Sequence, residues 1–305
     1  MNIKSLKNYI PEFIWEFLRL RTILRSHKRT AKLWHKYLDF YDGGRPEVQD
    51  IKPKQSITSQ KIIWQYWSQG LSDKVLPEMV KLCFDSIDRY KGDFKVIRLS
   101  DDNIHEWIDL PNVIMEKYHS GIIGKAHFSD IVRLALLVTY GGLWMDATIL
   151  LTGPISKYIT DSDWFMYQRS DKQEDKVKWR RTYAYYFGWH KDFKVRLLNS
   201  IIFSRENNKV IYDLYQLLLS FWKEENSVPD YFFFQILFTE YINRHPNVNC
   251  MVVSDCLPNM LQCYMTGSYT NYNIHEILSK ISIHKLSYKT VSAEQIKVLN
   301  LGMTD

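Results

Sequence analysis

Apolar positions recur every three to four residues near the start of the chain: Tyr9, Ile10, Phe13, Ile14, Phe17, Leu18, Leu20, Ile23 and Leu24. That spacing predicts a long amphipathic helix over residues 4–40, with Pro11 in a first turn that tolerates it. Gly43 and Gly44 end the pattern, and Pro46 and Pro53 follow. Residues 1–45 therefore read as a helical extension and 46–60 as a linker. From residue 61 the texture changes. Lys61–Trp67 is a β-rich run, Pro77–Tyr90 has helical spacing, and Phe94–Leu99 is a short strand. Ala126–Tyr140 is a strong apolar helix stopped by Gly141 and Gly142, and Leu143–Leu151 is a strand with an acid in its middle. Strand, helix, strand, helix, strand is the rhythm of an α/β domain on a parallel sheet, so 61–305 reads as the main domain. Further on, Trp164–Gln168 and Tyr183–Trp189 look like strands and Arg169–Arg181 like a charged loop. Asn208–Glu225 and Tyr231–Asn243 look like helices.

Composition narrows this picture. The chain has 305 residues, 46% hydrophobic and 24% charged, which excludes disordered and fibrous classes. Its formal charge is +6. Residues 1–33 hold eight basic residues against Glu12 and Glu16, which accounts for all of it. The remainder is neutral, which argues against a nucleic-acid footprint across the body. The basic arm has three readings: a face for an anionic membrane surface through residues 1–33, a helix packed on the body with solvated charges, or a partner-binding arm. No apolar run reaches the ~18 residues of a membrane span, and no secretory pattern is legible. Cys83, Cys250, Cys256 and Cys263 form no C-x-x-C pair. Reduced thiols and a cytoplasmic location are expected.

The densest candidate chemistry is Ser129-Asp130-x-x-Arg133, followed by Tyr140-Gly-Gly-Leu-Trp-Met-Asp146-Ala-Thr148. Asp130 and Arg133, three apart, share one helix face. A carboxylate such as Asp146 inside an apolar strand is costly unless it is paired or bound to a cation. In open α/β sheets, ligands gather at the carboxyl ends of strands. These groups therefore form either a structural ion pair or a binding site. No P-loop and no G-x-S-x-G elbow is present.

The run SDIVRLALLVTYGGLWMDATILL resembles the signature of the capsular-polysaccharide-synthesis glycosyltransferases. These are relatives of the yeast Golgi initiating mannosyltransferase and the glucosylating clostridial toxins. Ile62-Ile-Trp-Gln-Tyr-Trp67 is similar to that family's first strand, and the resemblance is good over roughly residues 60–155. It implies a GT-A-like, Rossmann-type α/β fold with a mixed, mainly parallel sheet. It implies sugar transfer from a nucleotide diphosphate donor, UDP-linked, to a hydroxyl of a glycan or polyprenyl-diphosphate-linked acceptor. The reaction would be retaining, by a hexosyl- or N-acetylhexosaminyltransferase of bacterial surface-polysaccharide assembly on the inner face of the cytoplasmic membrane. Carried over by position, Ile63, Trp64 and Gln65 would line the base and ribose pocket. Asp130 would hold donor-sugar hydroxyls and Arg133 the sugar or diphosphate. Asp146 stands at the first acid of the family's D-x-D, and Thr148 replaces the second. Mn²⁺ or Mg²⁺ would then rest on Asp146, Thr148 and a late His284, a weaker shell than two carboxylates. Lys285 would anchor the departing diphosphate, with Lys125 at the helix start as a further contact. Asp230 would be a catalytic base or acceptor contact, or alternatively a helix cap. The departure at Thr148 keeps open a non-catalytic subunit that binds nucleotide sugar or glycan.

Overall fold

The computed structural model describes residues 11–44, 51–57, 61–248, 250–269 and 271–299. The first part of the expected N-terminal helix and most of the linker lie outside them. The described chain is a mixed α/β fold whose central sheet has five strands. These are β1 (Ile62–Tyr66), β2 (Lys95–Leu99), β3 (Gly142–Met145), β5 (Trp164–Gln168) and β6 (Leu197–Ser204). Their order is β2-β1-β3-β6-β5. β1 pairs in parallel with both β2 and β3, while β6 runs antiparallel to β3 and β5. Four strands thus share one direction, and the sheet is mixed but mostly parallel, as expected. β6 is absent from the sequence reading. Its run Leu-Leu-Asn-Ser-Ile-Ile-Phe-Ser is buried on both faces and shows no two-residue alternation.

The predicted strand over 143–151 is instead two strands. β3 ends at Met145, and Asp146-Ala147-Thr148 turns the chain into β4 (Ile149–Leu151). β4 leaves the main sheet and pairs antiparallel with β7 (Ile283–Lys285). The helix α4 (Lys125–Tyr140) feeds β3, and every residue from Asp130 to Tyr140 is buried. It packs between the sheet and α6 (Lys209–Glu224). The glycine pair makes the sharp join. At Gly142, φ is +99° and an added Cβ would lie 2.7 Å from the Ile62 carbonyl. At Gly141 it would lie 2.6 Å from the Glu206 amide nitrogen. Only glycine permits this backbone approach.

The N-terminal helix, α1 (Glu12–Asp42), is docked on the body. Ile23, His27, Thr30, Ala31, Trp34, Tyr37 and Leu38 form its buried face. It lies on α6 and on α7 (Phe233–Arg244). Trp34 Nε1 donates to the Phe233 carbonyl at 2.8 Å, so half of the expected extension is part of the main core.

The stretch 183–189 is not a strand. Tyr186, Phe187 and Trp189 surround the guanidinium of Arg169. That guanidinium is buried and forked onto Asp255 at 2.8 Å through both Nε and Nη2. A buried charge held this way needs ring faces and carbonyls around it, and a ladder cannot supply them. The expected loop 169–181 contains a helix, α5 (Lys176–Thr182). Here α2 (Glu78–Tyr90) and α3 (Asn112–His119) complete the longer helices before α4.

Candidate active site

Arg133 is the hub of the site. It is 4% exposed, and its guanidinium joins two carboxylates. Nη1 lies 2.8 Å from Asp130 Oδ1, and Nη2 lies 3.3 Å from Asp146 Oδ1. Nη1 also donates to the Asn199 carbonyl and Nη2 to Ser129 Oγ. Trp144 completes the cage: its Nε1 donates to Asp146 Oδ1 at 2.8 Å, and its ring lies under the guanidinium. Helix spacing sets Asp130 beside Arg133, and the glycine turn brings the end of β3 under the same helix. Burial pushes the Asp130 carboxyl above its ordinary value, although Arg133 opposes this. Burial acts the same way on Asp146, but Arg133 and Lys285 outweigh it and hold that carboxyl below the ordinary range.

The third charge comes from far along the chain. The Ile149↔Lys285 register of β4 and β7 sets Lys285 against the Asp146-Ala-Thr turn. Its ammonium donates to Thr148 Oγ1 at 2.6 Å and lies 3.5 Å from Asp146 Oδ2. His284 does not join it. Neighbouring strand residues point to opposite faces. His284 is fully buried on the other side, with Nε2 2.9 Å from Thr152 Oγ1 and Nδ1 unpartnered. This corrects its expected place beside Asp146. The expected Mn²⁺ or Mg²⁺ shell is reduced to one carboxylate and one hydroxyl, both turned toward an ammonium. Among the described residues no group of three His, Cys, Asp or Glu side chains could hold a metal. This donor set does not fit a resident divalent cation, since both of its members already face Lys285.

Other expected site residues sit elsewhere. Ile63, Trp64 and Gln65 are fully buried in β1. Trp64 donates to the Gly141 carbonyl and packs on Trp107 and Tyr140, so its ring is a core strut rather than an open face for a base. Gln65 accepts from Arg98, while its Nε2 has no partner. Lys125 is exposed at the first position of α4, one turn and a half before Asp130. Asp230 is tied into the fold: Oδ2 accepts from Ser26 of α1 at 2.6 Å, and Oδ1 accepts from the Phe232 amide. It is a turn-forming and tethering residue, which corrects its expected catalytic place.

Several residues of the site escaped the sequence reading. Asn199 on β6 donates to Asp130 Oδ1 at 2.8 Å and is itself held by Gln235. Its signal was available, a polar residue inside an apolar run like Asp146. Trp67, at the carboxyl end of β1, packs against Ala147 and meets the Tyr288 ring edge-on at 5.5 Å. Its buried Nε1 has no partner. Tyr231, 63% exposed, lies in the electrostatic field of Asp130 and Asp146.

A sequence model of the capsular polysaccharide synthesis proteins matches residues 15–300. The chain belongs to this family. Two curated relatives are similar to part of this capsular polysaccharide synthesis protein. The O-glycosyltransferase braB of Annulohypoxylon truncatum is 28% identical over 105 residues, covering 32% of this chain and 25% of its own length. The O-glycosyltransferase PaGT of Phomopsis amygdali is 31% identical over 114 residues, covering 34% of this chain and 27% of its own length. The match thus spans about a quarter of each relative's length. Among solved structures, the PaToxG glycosyltransferase aligns over 92% of this chain and 95% of its own, at 13% identity and a TM-score of 0.37.

Proposed function

We propose that this protein transfers a sugar from a nucleotide diphosphate donor of the UDP class to a hydroxyl of a glycan or lipid-linked glycan in capsule assembly. The carrying observation is the continuous line of charge Asp130–Arg133–Asp146–Lys285 at the carboxyl end of β3. Both described bonds to Asp130 reach Oδ1, which leaves Oδ2 to accept a donor-sugar hydroxyl. Arg133 is consumed in holding the two carboxylates, so it positions them rather than gripping the diphosphate. Trp67 and Tyr288 supply the ring faces for a base or sugar that Trp64 cannot supply.

In the transfer, the anomeric carbon–oxygen bond to the diphosphate breaks as the acceptor oxygen bonds to that carbon. Negative charge grows on the leaving phosphate oxygen, and Lys285 is the ammonium placed to neutralise it. The acceptor proton passes to a departing phosphate oxygen, which gives a front-face, retaining course without an enzymatic nucleophile. The site's role is to fix the sugar so that the acceptor arrives in reacting geometry.

The test is the full chain with a panel of nucleotide sugars, read by thermal shift and by donor hydrolysis. Stabilisation by a UDP-sugar together with slow hydrolysis is expected. A chain that responds to no nucleotide sugar in either assay overturns the reading. Stabilisation without turnover, with any acceptor extract, would favour a nucleotide-sugar-binding subunit instead. That second reading draws on Thr148 standing where a second acid is expected.

A further inference from the structure

The outward face of α1 is built unlike the surface of a helix that ends in water. At 100° per residue, Ile14, Phe17, Leu18, Arg21, Arg25, Lys28 and Lys32 fall within an arc of about 100°. That arc lies opposite the buried line of Ile23, His27, Thr30 and Trp34. Its first two turns are apolar: Phe17 is 62% exposed, Ile14 and Leu18 are also exposed, and Phe13, 72% exposed, flanks the arc about 40° beyond its edge. Its next three turns are cationic. Arg21, Arg25, Lys28 and Lys32 are all exposed. None of the four makes an ion pair among the described residues, whereas Lys36, one turn on, meets Glu224. The inward Glu16 is taken up by Arg180 and Arg181. Glu12, at the exposed helix start, falls on the side of the buried line, and the acid that falls within the arc, Asp39, is already paired with Arg244 at 2.8 Å.

We propose that this stripe docks the protein on an anionic lipid surface. Phe13, Ile14, Phe17 and Leu18 would enter the boundary between headgroups and acyl chains. Arg21, Arg25, Lys28 and Lys32 would lie against lipid phosphates. An apolar tip continued by unpaired cations on one line matches such an interface on both counts. A second protein surface would have to bring acids for three turns and an apolar pocket for two. No helix among the described residues is long and apolar enough to cross a membrane, so the contact is one of surface docking.

The same helix runs past the candidate site. Glu16 is held by the end of α5, and exposed Tyr183 and Tyr185 follow it. Ser26 holds Asp230, beside Tyr231. Exposed rings thus flank the inward side of α1, and Tyr231 among them lies in the field of Asp130 and Asp146. An acceptor with a lipid tail in the bilayer could present its sugar along these rings, a consequence that rests on the transferase reading.

The experiment is sedimentation of the full chain with vesicles at physiological salt, without any donor. One set is phosphatidylcholine alone, and in the other about one lipid in three is phosphatidylglycerol. Binding is expected only to the anionic vesicles. Phe13→Ser with Phe17→Ser, and separately Arg21→Glu with Arg25→Glu, should each weaken it about tenfold or more while the melting temperature stays near that of the parent. Equal binding to both vesicle types, or to neither, overturns the proposal. So does binding that both double variants leave intact. A dimer in solution that Phe13→Ser with Phe17→Ser dissolves would assign the stripe to a second copy and also overturn it. Donor hydrolysis measured in parallel separates the two readings: vesicle binding without hydrolysis sinks the transferase, and hydrolysis without vesicle binding sinks the docking surface.

Discussion

Lys285 and Thr148 stand 137 residues apart in sequence, yet the Lys285 ammonium donates a 2.6 Å hydrogen bond to the Thr148 hydroxyl. The pairing of β4 with β7 creates this contact and places a positive charge 3.5 Å from Asp146. If that ammonium neutralises a departing diphosphate, Lys285→Met should lower transfer by about 100-fold or more. The melting temperature should change little, because Lys285 is partly exposed. Transfer by the parent protein should also survive chelation, staying within about twofold in excess EDTA. Collapse of activity in EDTA, restored by Mn²⁺, would show that Lys285 does not carry this charge alone.

Asp146→Asn and Arg133→Met should part company. The first keeps a hydrogen-bonding group in place, so the fold should persist while transfer falls by at least about 100-fold. The second leaves the buried Asp130 carboxylate without its cation, while the partly exposed Asp146 keeps Lys285, and should cost about 3 kcal/mol of stability. Chemical denaturation alongside a transfer assay checks both. Full activity in Asp146→Asn would remove that residue from the site.

Asp230→Asn is expected to be nearly silent in catalysis, within about threefold, because both of its carboxyl oxygens are used in the fold. Losing the charged acceptor for Ser26 should cost about 1 kcal/mol. A large loss of transfer with unchanged stability would return Asp230 to the reacting centre.

Gly142→Ala forces a Cβ within 2.7 Å of the Ile62 carbonyl at a φ of +99°. A backbone atom cannot swing aside as a side chain can. A loss of about 2 kcal/mol or more is expected, with transfer falling in step because β3 carries Asp146. An alanine variant with the parent's melting temperature would contradict this account of the turn.

Two buried histidines give a pH dependence with a definite sign. Burial holds His27 down to about 4, against a raising pull from Asp230, and holds His284 down to about 3. Unfolded histidine titrates near 6.5. Between 6.5 and about 4 the unfolded chain binds protons that the folded chain refuses. Stability is therefore complete above about 6.5 and drains as pH falls, by up to about 1.4 kcal/mol per pH unit for each histidine. The depressed Asp146 loses its contribution only below the ordinary carboxylate range. Asp130, raised, pulls the opposite way, and its part cancels when variants are compared. Unfolding at pH 7, 6 and 5 should show the slope, and His27→Gln should reduce it. Parallel curves for parent and variant would refute a neutral, buried His27.

The apolar runs and their punctuation determined much of this protein. Ile131–Tyr140 reads as a helix because the apolar run from Ala126 to the Gly141-Gly142 stop is longer than an ordinary strand. Gly141-Gly142 ends it, and Asp130-x-x-Arg133 is paired by the pitch of the helix alone. The family resemblance was likewise carried by this local run. Strand period went unread in Leu197–Ser204, since a strand buried on both faces has no alternation to detect. Asn199 was lost with it. What only the tertiary structure decided are relations across distance or across a face. A register of three pairs between β4 and β7 turned Lys285 toward Asp146 and His284 away. A helix two hundred residues upstream captured Asp230. Spacing along a chain fixes which side chains share a local face. It carries no information about which distant backbone will pair, and in a strand that choice determines which of two neighbours reaches the site.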